Sequence, residues 1–311
     1  MQPLFLARYG LKALAHAAFD PVKALRGSVQ AGGCVVMGNG PSLATDLQVQ
    51  GDAISRCAKV CVNNFARSEW FEKLRPEYYV LADTNYFSPK VQRIMADIAA
   101  GRTEAYPARA IDYYSYVREI NESTFTSLID KTAWPLALFL PLQGLLNADL
   151  SWIPKKNPNI RIVPYSMTPV SNGPDWLRHA LYERSLAMPR AETVLVPAIF
   201  LALHLGHKPI YVLGADHSWH ENIIVGADNV LSIRDPHFYD GESEPRTFPC
   251  VKDHVTGQTY RLSEQWRSLA NAFESHEALD AYARSQGARV YNACARSFLD
   301  MYERAKVGER G

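Results

Sequence analysis

The chain has 311 residues, 47% of them hydrophobic, enough to bury a full core in one large α/β domain. Its 33 basic and 32 acidic residues leave a net charge of +1, which excludes the basic excess of a dedicated nucleic-acid binder and points to a small molecule or glycan as partner. The five cysteines, Cys34, Cys57, Cys61, Cys250 and Cys294, are odd in number and mostly in apolar runs, the usage of a reducing, cytoplasmic compartment rather than of a disulfide framework.

Residues 1–30 carry Arg8, Lys12, Lys23 and Arg26 with no acidic residue before Asp20, and the basic residues interrupt any signal-peptide core. A helix is expected here, either resting on the inner-membrane surface or packed on the domain. Next, Cys34–Met37 reads as a buried strand running into Gly38-Asn39-Gly40-Pro41-Ser42, with Pro41 and Ser42 opening a helix. Small residues between a strand and a helix start let backbone amides approach a phosphate, so the segment predicts a nucleotide site. Val60–Val62 supplies a second strand ending in Asn63 and Asn64, and Tyr78–Leu81 a third ending in Asp83. In open parallel sheets ligands bind beyond the carboxyl ends of the strands, so Asn39, Asn63 and Asp83 are expected to converge on one crevice. Cys57 and Cys61 have a ligand-like spacing but no second cysteine pair, and are read as core rather than zinc ligands.

Pro89–Ala100 predicts a helix, followed by the aromatic cluster Tyr113, Tyr114 and Tyr116. Leu136–Leu146 is apolar but interrupted by Pro135 and Pro141, and reads as buried or as part of an acceptor-side lid. Ile160–Val163 is another strand, and the Pro, Ser, Asn and Gly punctuation of 164–191 predicts a lid or small subdomain over the crevice. Thr193–Leu205 is an apolar helix stopped by Gly206, and Pro209–Leu213 a buried strand ending in Gly214-Ala215-Asp216-His217. Ser218–Tyr260 is long, polar and aromatic, the pattern of a functional loop. Glu264–Ser285 is an amphipathic helix and Arg289–Tyr291 a last strand. The expected organisation is thus an N-terminal segment 1–30, one Rossmann-like domain 31–300 with a lid about 140–192, and a tail 301–311.

Taken together, GNGPSL at Gly38–Leu43, VNNF at Val62–Phe65, LAD at Leu81–Asp83 and Thr193 through LGHKPIYVLGAD to Asp216 resemble the bacterial CMP-sialic acid dependent sialyltransferases of glycosyltransferase family 42, and the related MptE-like pterin diphosphokinases. The similarity spans roughly residues 33–83 and 190–300. It implies a variant GT-A, mostly parallel Rossmann-like sheet flanked by helices, and an inverting, metal-independent transfer of a nonulosonic acid or Kdo-type sugar from a CMP donor to a lipopolysaccharide or capsule glycan. By the same resemblance, Gly38, Asn39, Gly40, Ser42, Asn63 and Asp83 line the donor nucleotide, Thr193 touches its sugar or phosphate, and Asp216 helps to hold the site. Val194-Leu195 stand where the sialyltransferases have Ser-Gly, and Ser218 where they have a phosphate-binding Tyr.

An inverting transfer needs a base for the acceptor hydroxyl and stabilisation of the leaving phosphate. His237, flanked by Asp235 and Asp240, is the expected base, with His254 second and His217 at the crevice rim as a phosphate donor alongside Ser42 and Tyr239. Arg178, Arg184, Arg190 and Lys208 are candidates for a donor carboxylate. His217, His220, His237, His254 and Asp216 include ligand types for a metal alternative at irregular spacing. Two other readings stay open: a diphosphokinase using ATP, with magnesium near Asp83 and Asp216, and a non-catalytic glycan-binding relative. No cofactor beyond the donor is expected, and nothing in the pattern fixes an oligomeric state.

Overall fold

In a computed structural model, the residues described are Val22, Leu25, 32–239, 246–253 and 257–310. The expected N-terminal helix and His254 lie outside them. Apolar runs too short for helices form strands β1 (Cys34–Met37), β2 (Ala58–Val62), β3 (Tyr78–Val80), β4 (Leu136–Pro141), β5 (Ile160–Tyr165) and β6 (Ile210–Leu213). With β12 (Val290–Asn292) and β13 (Glu303–Arg304) they make one eight-stranded sheet, ordered β13-β12-β6-β1-β2-β3-β4-β5. Every pairing in it is parallel. Side chains alternate between two packed layers: Val36, Val60 and Val80 face one, Val35, Cys61 and Tyr79 the other. Burial on both faces explains why these strands read as continuous apolar stretches rather than alternating ones.

Helix α1 (Leu43–Ser55) follows β1, α2 (Trp70–Leu74) follows β2, and α3 (Pro89–Ala99) and α4 (Ala108–Lys131) fill the β3–β4 connection. Short helices α5 (Leu142–Asn147) and α6 (Trp152–Lys156) join β4 to β5, and α7 (Asp175–Glu183) precedes α8 (Leu195–His204), which packs against β1 and β6. Gly206, at φ +93°, turns the chain out of α8 in the left-handed conformation that glycine tolerates best. From β5 the chain returns to the middle of the sheet, so the strand order reverses between β1 and β6. That reversal opens a crevice at the carboxyl ends of both strands.

Three segments differ from expectation. In Leu136–Leu146 the buried alternative holds, with β4 a strand between β3 and β5, and within 164–191 Tyr165, Tyr182 and Met188 are core residues while Met167 and Ala191 line the crevice. Pro141 sits at the end of β4, where a missing N–H costs no ladder bond. The expected long loop 218–260 folds into a three-stranded antiparallel sheet, β7 (Ile223–Val225), β8 (Leu231–Arg234) and β9 (Thr247–Pro249), and a hairpin, β10 (Val251–Asp253) with β11 (Gln258–Thr259). Helix α9 (Leu262–Ser285) then leads to β12, and the expected tail supplies β13, with Tyr302 and Val307 buried.

Among the described residues, no helix is long and apolar enough to cross a membrane. Cys57 Sγ donates to the Gly32 carbonyl (3.0 Å), and burial pushes the Cys57 and Cys61 thiols up, as befits core thiols. No disulfide joins any of the five cysteines.

Candidate functional site

The crevice is a cleft of about 460 Å³ lined by the ends of β1, β2, β3 and β6, the start of α8 and the 235–237 segment after β8. Its polar strand ends splint one another in sequence. Asn39 Nδ2 donates to the Val62 carbonyl (3.2 Å), and Asn63 Oδ1 accepts from the Ala82 N–H (3.2 Å). Asp83 Oδ1 accepts from the Asn85 N–H (2.9 Å), capping a short 3-10 turn. All three residues line the cleft, so the turn-former and site-lining readings describe the same side chains.

The Gly-Asn-Gly-Pro-Ser turn does not offer the phosphate cradle that its composition suggests. The Gly38 N–H donates to Leu213 O (2.8 Å), Gly40 N–H to Gly214 O (2.9 Å) and Leu43 N–H to Gly40 O (3.1 Å). Ser42 is buried outside the cleft lining, with both its N–H (3.2 Å) and its hydroxyl (2.8 Å) given to the Asp216 carboxylate. Asp216 thus supplies, from the chain itself, the anion that the N-terminus of α1 attracts. Asp46, inside α1, accepts from the N–H groups of Gly214 (3.1 Å) and Ala295 (2.6 Å). Burial pushes both carboxyls up, opposed by these hydrogen bonds. The glycines serve this packing: a Cβ on Gly38 would stand 2.5 Å from Gly214 O, and one on Gly40 2.0 Å from Asp216 Oδ2.

Other donors face the cleft. Thr193, Val194 and Leu195 at the start of α8 line it, where a helix N-terminus carries partial positive charge; Val196 N–H donates to Thr193 O (3.3 Å) and Pro197 has no N–H, which narrows the donors of that turn to Val194 and Leu195. Thr193 Oγ1 and Asn39 Oδ1 are buried atoms without a hydrogen-bond partner, an arrangement that ordinary protein interiors avoid. One can donate and one accepts, so a ligand with complementary groups would satisfy both.

His237 and Asp235 line the cleft, with His237 Nε2 3.8 Å from Asp235 Oδ2. Tyr239 does not reach the lining; its ring stacks on His237 (centroids 5.1 Å apart, 9° between planes) and lies beneath the Arg67 guanidinium. Phe238, between them, donates its N–H to Asn39 O (3.1 Å) and packs against Phe65 (5.3 Å), anchoring the segment to the end of β1.

His217 lines the cleft, as expected of a rim residue, but its ring is turned to another histidine. It is 4% exposed at φ +51°, and its Nε2 lies 3.1 Å from His276 Nε2 on α9, not toward a phosphate. His276 Nδ1 is in turn 2.9 Å from the Tyr302 hydroxyl, which also reaches the His276 carbonyl (3.4 Å). With its Nε2 held against His276 and its ring buried, His217 is suited to tying the end of β6 to α9 rather than to taking an acceptor's proton. Burial lowers the His217 pKa to about 4, and burial plus the facing His217 lowers that of His276. Because folded-state values lie below the ordinary unfolded value near 6.5, the unfolded chain takes up protons first as the pH falls. His217 should therefore cost about 3 kcal/mol of stability between pH 6.5 and 4. Raised carboxyls such as Asp46 and Asp216 act oppositely, gaining stability as they protonate. We expect urea unfolding across this window to show a steeper acid loss for wild type than for His217→Asn, since asparagine tolerates the positive φ; parallel curves would remove His217 as the cause.

The cationic candidates stand outside the cleft lining, Arg190 next to it through its pair with Glu192. Arg178 pairs with Asp175, Arg190 with Glu192, and Lys208 donates to Gln286 O at the amino end of β6. The cleft lining contains Asp83, Glu192, Asp216 and Asp235 but no Lys or Arg. Among the described residues no group of three or more His, Cys, Asp or Glu is arranged to hold a metal ion. Glu192, Trp219 and Asn222 also line the cleft and carried no sequence signal that set them apart.

Neither a family model nor a curated protein matches the chain. Among solved structures, its fold is similar to that of the MAf glycosyltransferase from Magnetospirillum magneticum AMB-1, at 12% sequence identity and a TM-score of 0.46. The match covers 95% of this chain and 38% of that one, so the chain spans well under half of that protein's length.

Proposed function

We propose that the cleft is the donor site of an inverting glycosyltransferase, moving a nonulosonic acid or Kdo-type sugar from a CMP donor to a bacterial lipopolysaccharide or capsule glycan. One observation carries this reading: at the strand-order reversal, two residues of the cleft lining have buried polar atoms without partners, Thr193 Oγ1 at the start of a helix and Asn39 Oδ1 at the end of β1. Thr193 and the first turn of α8 meet the donor phosphate, while Asn39 accepts from a base amino or ribose hydroxyl group. The phosphate element is thus α8, because α1 is already capped by Asp216. His237 takes the acceptor proton, with Asp235 beside it.

The expected result is stabilisation of the protein by CMP in EDTA, measured by thermal shift against UDP, GDP and ATP. Thr193→Val, which removes the hydroxyl at nearly constant volume, is expected to weaken CMP binding roughly tenfold, the order of one hydrogen bond to a charged group. Equal CMP affinity in the two proteins would move the phosphate away from Thr193.

A second reading, magnesium-dependent diphosphate transfer from ATP, is favoured by the carboxylates of Asp83 and Asp235 in a cleft lining without Lys or Arg. Asp216, spent on Ser42, would not take part. Stabilisation by magnesium-ATP alone would select it.

A further inference from the structure

Beside the cleft lies a second, smaller cavity of about 180 Å³, between the β7–β9 sheet and α9. Glu192, Thr193, Trp219 and Asp235 line both, so the two hollows are contiguous. The smaller one adds the Gln265 amide and the Ser268 hydroxyl, with Ile233, Leu269 and Ala272 as its apolar wall. Its volume suits one sugar ring rather than a nucleotide. An indole beside a planar amide, a hydroxyl and a carboxylate offers a ring an apolar face together with paired donors and acceptors for its hydroxyls. The unpartnered Thr193 hydroxyl stands at the junction. The smaller cavity holds no Lys or Arg and, unlike the cleft, meets the start of α8 only at Thr193; Glu192 in its wall pairs with Arg190 (2.6 Å) and accepts from Ser268 Oγ (3.4 Å), and Asp235 adds a further carboxylate, so it offers acceptors to ring hydroxyls and disfavours an anionic ring. Leu262 and Trp266, 40% and 46% exposed, fall at helical spacing beside Gln265 and Leu269, extending an apolar rim outward along α9.

We infer that this cavity is the acceptor subsite, and that it takes an uncharged sugar ring, with Trp219, Gln265 and Ser268 setting the preference and Trp266 and Leu262 supporting the next unit of the acceptor. The inference rests on the transferase reading of the adjoining cleft. The placement lets an acceptor hydroxyl enter the cleft past Thr193 and Asp235.

Saturation-transfer NMR tests it with methyl β-glycosides of galactose, glucose and N-acetylglucosamine as neutral probes and the methyl glycoside of glucuronic acid as the acidic one. At least one neutral glycoside is expected to bind, and the glucuronide at least tenfold more weakly. Ser268→Trp, which fills the cavity from a partly exposed helix position, and Gln265→Leu, which keeps the side chain's size, are each expected to weaken the neutral probe at least tenfold while CMP binding, followed by calorimetry, stays unchanged. Binding that survives both substitutions, a glucuronide that binds equally well, or no glycoside binding at all overturns the inference. Loss of the transferase reading shows separately, as absence of nucleotide binding in the wild-type protein.

Discussion

Gly40→Ala is expected to remove about 3 kcal/mol of stability and abolish nucleotide binding. The added methyl would lie 2.0 Å from Asp216 Oδ2 and 2.8 Å from Gly214 O, a carboxylate and a backbone that cannot both retreat. Moving Asp216 would strand the Ser42 N–H and hydroxyl in a buried setting, and the turn joining β1 to α1 would lose its contact with the end of β6. Gly51→Ala, within α1, is the control, because a Cβ there meets no other part of the protein within 4 Å, and it should be neutral or gain up to about 1 kcal/mol. Urea unfolding and calorimetry with CMP read both variants. A Gly40→Ala protein as stable as Gly51→Ala would show that the turn is not held by Asp216.

His237→Ala is expected to lower CMP release from CMP-sialic acid or CMP-Kdo by roughly 10²- to 10⁴-fold, the range a positioned general base contributes. Nucleotide affinity should change little and stability by less than about 0.5 kcal/mol, since His237 is partly exposed on a segment anchored by its neighbour Phe238. His217 is poorly placed to stand in, because its ring is buried and its Nε2 is held against His276. A loss below tenfold would take His237 out of the mechanism.

The scaffold was legible wherever burial imposes one pattern. Cys34–Met37, Val60–Val62 and Ile210–Leu213 are apolar on both faces and could be little else, and Gly206 marks its helix end by a conformation few residues share. β4 was obscured by flanking prolines, which are harmless at strand ends, and β13 by being two exposed polar residues whose pairing with β12 leaves no trace in hydropathy. The site was half legible. Strand-end positions of Asn39, Asn63 and Asp83 follow from the α/β pattern, but a Gly-Pro-Ser turn looks the same whether it holds a ligand's phosphate or the chain's own carboxylate. His217 was placed at the right strand end, yet its orientation depends on His276, 59 residues further along a different element.

The sheet's reversal between β1 and β6 also sets when the site can exist during folding. Ser42 meets Asp216 across 174 residues, and β1 stays without its β6 neighbour until that strand has been made. On the ribosome, the β1–β5 part of the sheet can assemble first, exposing the edge of β1 and a turn whose Gly38, Gly40 and Ser42 amides await their acceptors on β6 and the residues after it. Closure of that long loop comes late and slowly, and the cleft forms in the same step. Nucleotide binding by a nascent or refolding chain would therefore report completion of the whole sheet rather than of the segment that carries the glycine-rich turn.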